Sequence, residues 1–177
     1  MQHADHVALL RQGFPTPGGV WADLGSGTGA FTLALADLIG PEGRIYSVDT
    51  DRAALRTQAQ RMEARFPAVP LSLMVADFAQ PLELPSLDGL VMANSLHFHR
   101  DKEPVVRLVQ SYLKPGGRLI LVEYGTERGN HWVPYPLSYQ TWQDLACRVG
   151  LVGTQLLTTR PSRFLGQIYS ALSLTQA

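Results

Sequence analysis

The sequence contains a single cysteine and only two lysines among its 177 residues. Cys147 alone cannot form an internal disulfide, which favours a reducing compartment. We expect this thiol to lie buried in a helix rather than to act as a nucleophile. No segment approaches the ~20 consecutive apolar residues of a membrane-spanning helix, and the residues after Met1 lack the apolar core of a signal peptide. The sequence therefore predicts a cytoplasmic protein without a membrane span.

Neither sign of charge is in excess, since 15 basic residues balance 15 acidic ones. This balance argues against nucleic acid or an anionic membrane as a partner, because both select for clustered positive charge. The length predicts one domain, and a 45% share of apolar residues is enough to fill its core.

Short apolar runs alternate with segments of helical periodicity. This alternation predicts an α/β domain with a mostly parallel sheet. Two C-terminal runs, 153–159 and 164–174, have no helix between them, so we expect them to pair antiparallel. The other predicted strands are Gly19–Leu24, Arg44–Asp49, Leu71–Asp77, Leu87–Ser95 and Arg118–Tyr124.

Three glycines separate the first predicted strand from the helix that follows it, in the stretch ADLGSGTGAF at 22–31. Their G-x-G-x-G spacing departs from the G-x-G-x-x-G of dinucleotide-binding folds, and no lysine follows as in a phosphate-binding P-loop. Asp23, just before the glycines, would repel a pyrophosphate. The loop therefore favours a ligand that carries positive charge.

Two further carboxylates end the second and third strands. Asp49 occupies the place where a carboxylate accepts hydrogen bonds from two ribose hydroxyls. Asp77 ends the third strand in the same way, whereas Asp51 is expected to cap the next helix. With Asp23, these side chains predict a nucleoside-like ligand with a cationic part.

Five segments in order, VWADLGSGTG, IYSVD, VADF, LVMANSLHF and LKPGGRLILVE, resemble the motifs of class I S-adenosylmethionine-dependent methyltransferases. The resemblance implies a three-layer α/β sandwich, the class I methyltransferase-like Rossmann fold, with a seven-stranded, mostly parallel sheet whose last strand is antiparallel. Within a single domain over 1–177, it implies an N-terminal helix or cap (1–18), a cofactor-binding core (19–125), and a substrate-side loop, helix and hairpin (126–177).

The same resemblance implies the cofactor S-adenosylmethionine, with S-adenosylhomocysteine as product. Asp23 would hold the methionine amino group directly or through water, and Asp49 would bind the ribose. Thr50 and Asp77 would lie at the adenine. The other implied contacts are Gly25, Ser26, Gly27 and Gly29 along the methionine part, the Phe78 backbone N–H at a ring nitrogen, and Asn94 facing the methionine part and the substrate.

The acceptor side is less defined by sequence. His97 is a candidate general base and substrate contact, with a surface histidine as the alternative, and His99 is expected to be a surface histidine. A metal needs more ligands than these two, so we expect none. The aromatic stretch 124–139 either lines an apolar substrate pocket or covers the edge of the sheet. Its candidate substrate contacts are Tyr124, His131, Trp132 and Tyr135.

The expected reaction is in-line methyl transfer to a small-molecule acceptor. ANSLHF departs from the N-P-P-Y motif of enzymes that methylate amino groups of nucleic-acid bases or glutamine, which argues against those acceptors. The alternatives are a cofactor-binding module without catalysis and a nicotinamide-dependent oxidoreductase, which the glycine spacing disfavours. The site's cap is expected to be minimal, to come from Asp5–Phe14, or to come from a partner subunit in a homodimer.

Overall fold

The computed structural model describes residues 1–177. Five α-helices surround one sheet, and two short 3-10 turns, Arg11–Gly13 and Leu96–Phe98, follow α1 and β4. The strands are β1 Gly19–Leu24, β2 Gly43–Asp49, β3 Leu71–Val75, β4 Leu87–Ala93, β5 Leu113–Tyr124, β6 Val152–Ser162 and β7 Gly166–Leu174. The helices are α1 His3–Leu10, α2 Ala30–Ile39, α3 Arg52–Arg65, α4 Glu103–Gln110 and α5 Tyr139–Arg148.

The seven strands lie in the order β3-β2-β1-β4-β5-β7-β6. The first five strands of the chain pair in parallel. The last strand, β7, runs antiparallel between β5 and β6. The fold class expected from the sequence is confirmed, including the position of the antiparallel strand.

The helices cover both faces of the sheet. Along β5, Leu119 and Leu121 pack into a core that includes Trp142 of α5. The alternate residues Ile120 and Val122 pack into a second core with residues of α1 and α2. Because successive side chains of a strand point to opposite faces, one apolar run fills both cores. None of the helices has the length and apolar character needed to cross a membrane.

Local signals in the sequence account for several element boundaries. Asp51 caps α3, accepting hydrogen bonds from the backbone nitrogens of Ala53 and Ala54, as expected.

The prediction for Cys147 was wrong, because the thiol is exposed on α5. It directly follows the buried Ala146, and one step along a helix rotates a side chain by about 100° away from the core.

The order of the sheet fixes the position of the site. The chain runs outward from β1 through β2 to β3 and then crosses to β4 on the other side of β1, so β1 and β4 border a switch point. Ligands in open α/β sheets bind beyond the carboxyl ends of the strands at such a point. The glycine stretch leaves β1 at this edge.

Candidate active site

A cleft of about 310 Å³ opens at the carboxyl ends of β1 to β4. The structure brings together at this cleft six of the ten residues predicted to contact the cofactor. The lining residues are Gly25, Asp49, Thr50, Ala76, Asp77, Phe78, Asn94, Ser95, Phe98 and His99.

Gly25 lies where the glycine loop touches the segment that follows β4. Its φ of +77° lies in the left-handed region, and a Cβ there would come 2.4 Å from the Cβ of Ser95. Ser95 cannot easily retreat, because its hydroxyl donates to the carbonyl of Leu24 at 2.8 Å. Only glycine therefore permits this approach of the two loops.

Asp49 connects the end of β2 with the glycine loop. Its Oδ2 accepts a hydrogen bond from the backbone nitrogen of Gly27 at 2.7 Å, and its Oδ1 accepts one from that of Asp51 at 2.8 Å. Each carboxylate oxygen has two lone pairs, so each keeps a further acceptor site for a ligand hydroxyl.

Asp77 and His99 lie at the other end of the cleft. Asp77 accepts a hydrogen bond from the backbone nitrogen of Ala79 at 2.9 Å, which fixes its carboxylate. The His99 ring meets Phe78 edge-on, with 5.1 Å between centroids. Burial lowers the pKa of His99, and the negative charge of Asp77 opposes that effect. His99 is partly exposed and lines the cleft, so its contact with a bound ligand is open to test.

Asp23 does not line the cleft. Its side chain lies behind the glycine loop, 1% exposed, and accepts a hydrogen bond from the hydroxyl of Thr32 at 2.6 Å. Burial raises the pKa of Asp23 to about 7, the Thr32 hydrogen bond opposes the rise, and the neighbouring charge of Asp49 adds to it.

A buried polar network supports the glycine loop from α3. Gln58 donates its amide hydrogens to Ser47 at 2.7 Å and Thr32 at 2.9 Å, and its carbonyl accepts from Ser26 at 3.1 Å. A Cβ on Gly29 would lie 2.5 Å from the Gln58 side chain. Ser26 and Gly29 therefore face Gln58, a residue that the sequence analysis missed because an isolated glutamine in a polar helix carries no signal of burial.

Asn94 combines a strained backbone with an unpaired side-chain oxygen. It is the one non-glycine residue with positive φ, at 53°. Its Oδ1 is sealed from solvent and has no hydrogen-bond partner within the protein. An unpaired buried acceptor costs about 1–3 kcal/mol, and such strained positions concentrate at ligand sites.

His97 is buried rather than at the surface, so the surface alternative is wrong. It is 2% exposed and lines no part of the cleft. Its Nδ1 lies 2.8 Å from Oε2 of Glu123, and its backbone nitrogen donates to Oε1 at 3.1 Å. Glu123 is fully buried. Sequence reasoning missed it, although a lone charge inside the apolar run RLILVEY is a visible signal.

A second cleft, of about 400 Å³, lies beside Tyr124 at the end of β5. The ring of Tyr124 meets that of Phe164 from the β6–β7 turn, with 5.7 Å between centroids. Burial and then the charge of Glu123 raise the pKa of Tyr124. The other lining residues are Met1, Pro161, Ser162, Arg163 and Ile168.

The other aromatic candidates lie outside both clefts. Trp132 is 71% exposed and meets only the ring of His131, edge-on at 5.4 Å. Tyr135 is also exposed, and its backbone nitrogen donates to the His97 carbonyl at 3.0 Å, which fastens this loop beside the site. No group of three or more His, Cys, Asp or Glu side chains is placed to hold a metal ion.

Residues 16–150 match the model of a family described as "Methyltransferase domain". The chain belongs to this methyltransferase family. The resemblance to class I methyltransferases is thereby confirmed, and no comparison supports an oxidoreductase or a non-catalytic module.

Two curated relatives of this chain carry the same name. The Ubiquinone/menaquinone biosynthesis C-methyltransferase UbiE of Shewanella frigidimarina is 29% identical over 129 residues, covering 72% of this chain and 49% of that protein. The UbiE of Ectopseudomonas mendocina is 31% identical over 110 residues, covering 61% of this chain and 43% of that protein. The chain thus spans about half the length of the curated relatives it matches.

Solved structures share the fold at low identity. The YcgJ protein from Bacillus subtilis matches with a TM-score of 0.80 at 14% identity, covering 99% of this chain and all of that one. A 1,6-didemethyltoxoflavin-N1-methyltransferase from Burkholderia thailandensis, solved with 1,6-didemethyltoxoflavin and S-adenosylhomocysteine, gives 0.77 at 17% identity, covering 99% and 78%.

Proposed function

We propose that the chain transfers a methyl group from S-adenosylmethionine to a small-molecule acceptor. The observation that carries this proposal is the carboxylate of Asp49 in the cleft, whose oxygens keep lone pairs free beside their hydrogen bonds to the loop. Asn94 lies in the same cleft with the positive φ that is typical of ligand sites, and the cationic end of the cofactor would lie beside it. When bound, S-adenosylmethionine supplies a methyl group already activated on a cationic sulfur.

The lining residues fit the rest of the cofactor. Asp49 keeps free lone pairs for the two ribose hydroxyls. Asp77 and the backbone of Phe78 offer an acceptor and a donor for the adenine edge, with Thr50 and His99 beside them. A Cβ on Gly27 would meet no protein atom within 4 Å, so the loop backbone is open there to a ligand.

Asp23 takes a supporting role in this proposal. Asp23 is buried and accepts a hydrogen bond from Thr32. We therefore expect it to stabilise the cofactor's ammonium through a water molecule or through the loop, and not by direct contact. Ser26 and Gly29 likewise hold the loop through Gln58 rather than touching the ligand.

The acceptor is proposed to enter from the cleft at Tyr124. The His97 ring neighbours a lining residue of each cleft, with its centroid 4.4 Å from that of Phe98 and 6.3 Å from that of Tyr124. His97 is the proposed base for an acceptor that must lose a proton. His131, Trp132 and Tyr135 lie on the exposed loop and could contact only an acceptor that extends beyond this cleft.

Isotope transfer tests the proposed activity. The purified chain is incubated with methyl-labelled S-adenosylmethionine and, in turn, hydroquinone, thiophenol and benzylamine. Label in an acceptor, lost in Asp49→Ala, supports the proposal. Tight binding of the cofactor without transfer to any acceptor class would instead indicate a binding module.

Location and assembly complete the proposal. A cytoplasmic location fits the single cysteine. A homodimer would cover Phe98 and Phe164, which are 60% and 49% exposed beside the clefts. Sedimentation of the purified chain tests the dimer.

Domain limits of 1–18, 19–125 and 126–177 remain a prediction, for which limited proteolysis is the direct test.

A further inference from the structure

Glu123 directs both of its oxygens at one residue. Oε1 accepts from the backbone nitrogen of His97 at 3.1 Å, and Oε2 lies 2.8 Å from Nδ1 of the same residue. Glu123 is fully buried at the end of β5, and His97 is 2% exposed in the turn after β4. A buried carboxylate destabilises the folded state unless it is well paired, so the fold depends on these two contacts of Glu123.

The pair fixes which histidine nitrogen carries the proton. An ionised carboxylate can only accept hydrogen bonds, so its contact with Nδ1 requires the proton on that nitrogen. Nε2 of His97 is then an acceptor, and it makes no hydrogen bond within the protein.

The position of the ring gives that free nitrogen a use. The centroid of the His97 ring lies 4.4 Å from that of Phe98, which lines the cofactor cleft. It lies 6.3 Å from that of Tyr124, which lines the second cleft. A base placed between a methyl donor and an acceptor can take a proton from the acceptor.

We propose that Glu123 is a positioning residue that holds His97 with its proton on Nδ1, so that Nε2 is the base for acceptors whose nucleophilic oxygen carries a proton. The inference rests on the proposed methyl transfer and narrows its substrate class to hydroxyl and phenol acceptors.

A phenol is the simplest acceptor for this transfer. The acceptor's O–H proton passes to Nε2, and its electron pair forms the bond from oxygen to the methyl carbon. The bond from methyl to sulfur breaks with its electrons left on sulfur. The products are the methyl ether, S-adenosylhomocysteine and an imidazolium that returns its proton to water.

Nitrogen NMR of the ligand-free chain tests the tautomer without any turnover. At pH 8 we expect His97 to show a protonated Nδ1 and a non-protonated Nε2. In Glu123→Gln the amide can donate to Nδ1, so the proton should move to Nε2. A wild-type His97 with its proton on Nε2 would overturn the proposal.

Turnover with hydroquinone and 1,4-dihydroxynaphthalene tests the consequence. We expect Glu123→Gln and His97→Gln to lower kcat by about 10²- to 10⁴-fold, the usual range for general base catalysis, with the KM for the cofactor unchanged. Glu123→Asp, which keeps the charge, should restore part of kcat. Equal kcat in wild type and Glu123→Gln would overturn the proposal.

A second histidine–carboxylate pair provides the control. His3 on α1 and Asp37 on α2, with Nε2 and Oδ2 3.1 Å apart, line neither cleft. Asp37→Asn should leave kcat unchanged. Calorimetry with S-adenosylmethionine separates the two claims: absent cofactor binding in wild type refutes the proposed function. Binding with label transfer only to thiophenol or benzylamine refutes the role of the base.

Discussion

Asp49 lines the cleft and also holds the glycine loop. It holds the loop because its Oδ2 accepts a hydrogen bond from the backbone nitrogen of Gly27 at 2.7 Å. One carboxylate thus arranges the loop and offers its remaining lone pairs to a ligand. The two hydrogen bonds that Asp49 accepts from backbone nitrogens fix the orientation of its carboxylate.

Asp49→Ala should weaken binding of S-adenosylmethionine by about 100-fold or more. Hydrogen bonds to a charged group contribute about 1.5–3 kcal/mol each, and the variant removes those to the ribose. Calorimetric titration measures the change. Asp51→Ala is the matched control: losing the cap of α3 should cost about 1 kcal/mol of stability without altering affinity. Equal losses of affinity in both variants would contradict the ribose role.

Asn94→Gly should separate ligand binding from backbone strain. Glycine adopts the positive φ of 53° freely, so the variant should be at least as stable as wild type. It also removes the sealed oxygen, so we expect affinity for the cofactor to fall about tenfold, as for one lost hydrogen bond. Undiminished affinity in a folded variant would show that Oδ1 does not meet the ligand.

Gly25→Ala should destabilise the fold more than Gly27→Ala does. Both positions have positive φ, which costs a side chain roughly 1–2 kcal/mol. At Gly25 the new Cβ would also collide with Ser95, whereas at Gly27 it would meet nothing within 4 Å. Urea unfolding of both variants measures the difference, and equal destabilisation would count against the close approach of the two loops.

Stability should fall as pH rises from about 4 to 7 because of Asp23. Its pKa is about 7 in the folded chain against an ordinary 3.8, so between these values the unfolded chain loses a proton that the folded chain keeps. The full penalty above pH 7 is on the order of 4 kcal/mol.

Asp23→Asn should remove most of this decline, and the exposed Glu42→Gln should keep it. Urea unfolding at pH 5 and pH 8 gives the comparison. A wild-type chain that gains stability between these two values would contradict a buried, protonation-prone Asp23.

Residues with strong local signals were predicted well from sequence. The run Gly19–Leu24 is β1 without change, because a buried strand bounded by glycines is distinctive. Asp49 and Asp77 were found because parallel strands bring their carboxyl ends to one edge.

Contacts made across the fold were not predictable in the same way. Gln58 meets Ser26 and Ser47 only once α3 packs on the glycine loop. The roles of His97 and His99 depend on the 3-10 turn Leu96–Phe98, which turns His97 inward to Glu123 and His99 towards the cleft. Periodicity does not specify the direction of so short a turn.

Calorimetric titration of the wild-type chain with S-adenosylmethionine, S-adenosylhomocysteine and NAD tests the central claim most directly. The account predicts micromolar binding of the first two and none of NAD, because Asp49, Asp77 and Asn94 match a nucleoside with a cationic tail. Binding of NAD in preference to S-adenosylmethionine, or a folded chain that binds none of the three, would contradict it.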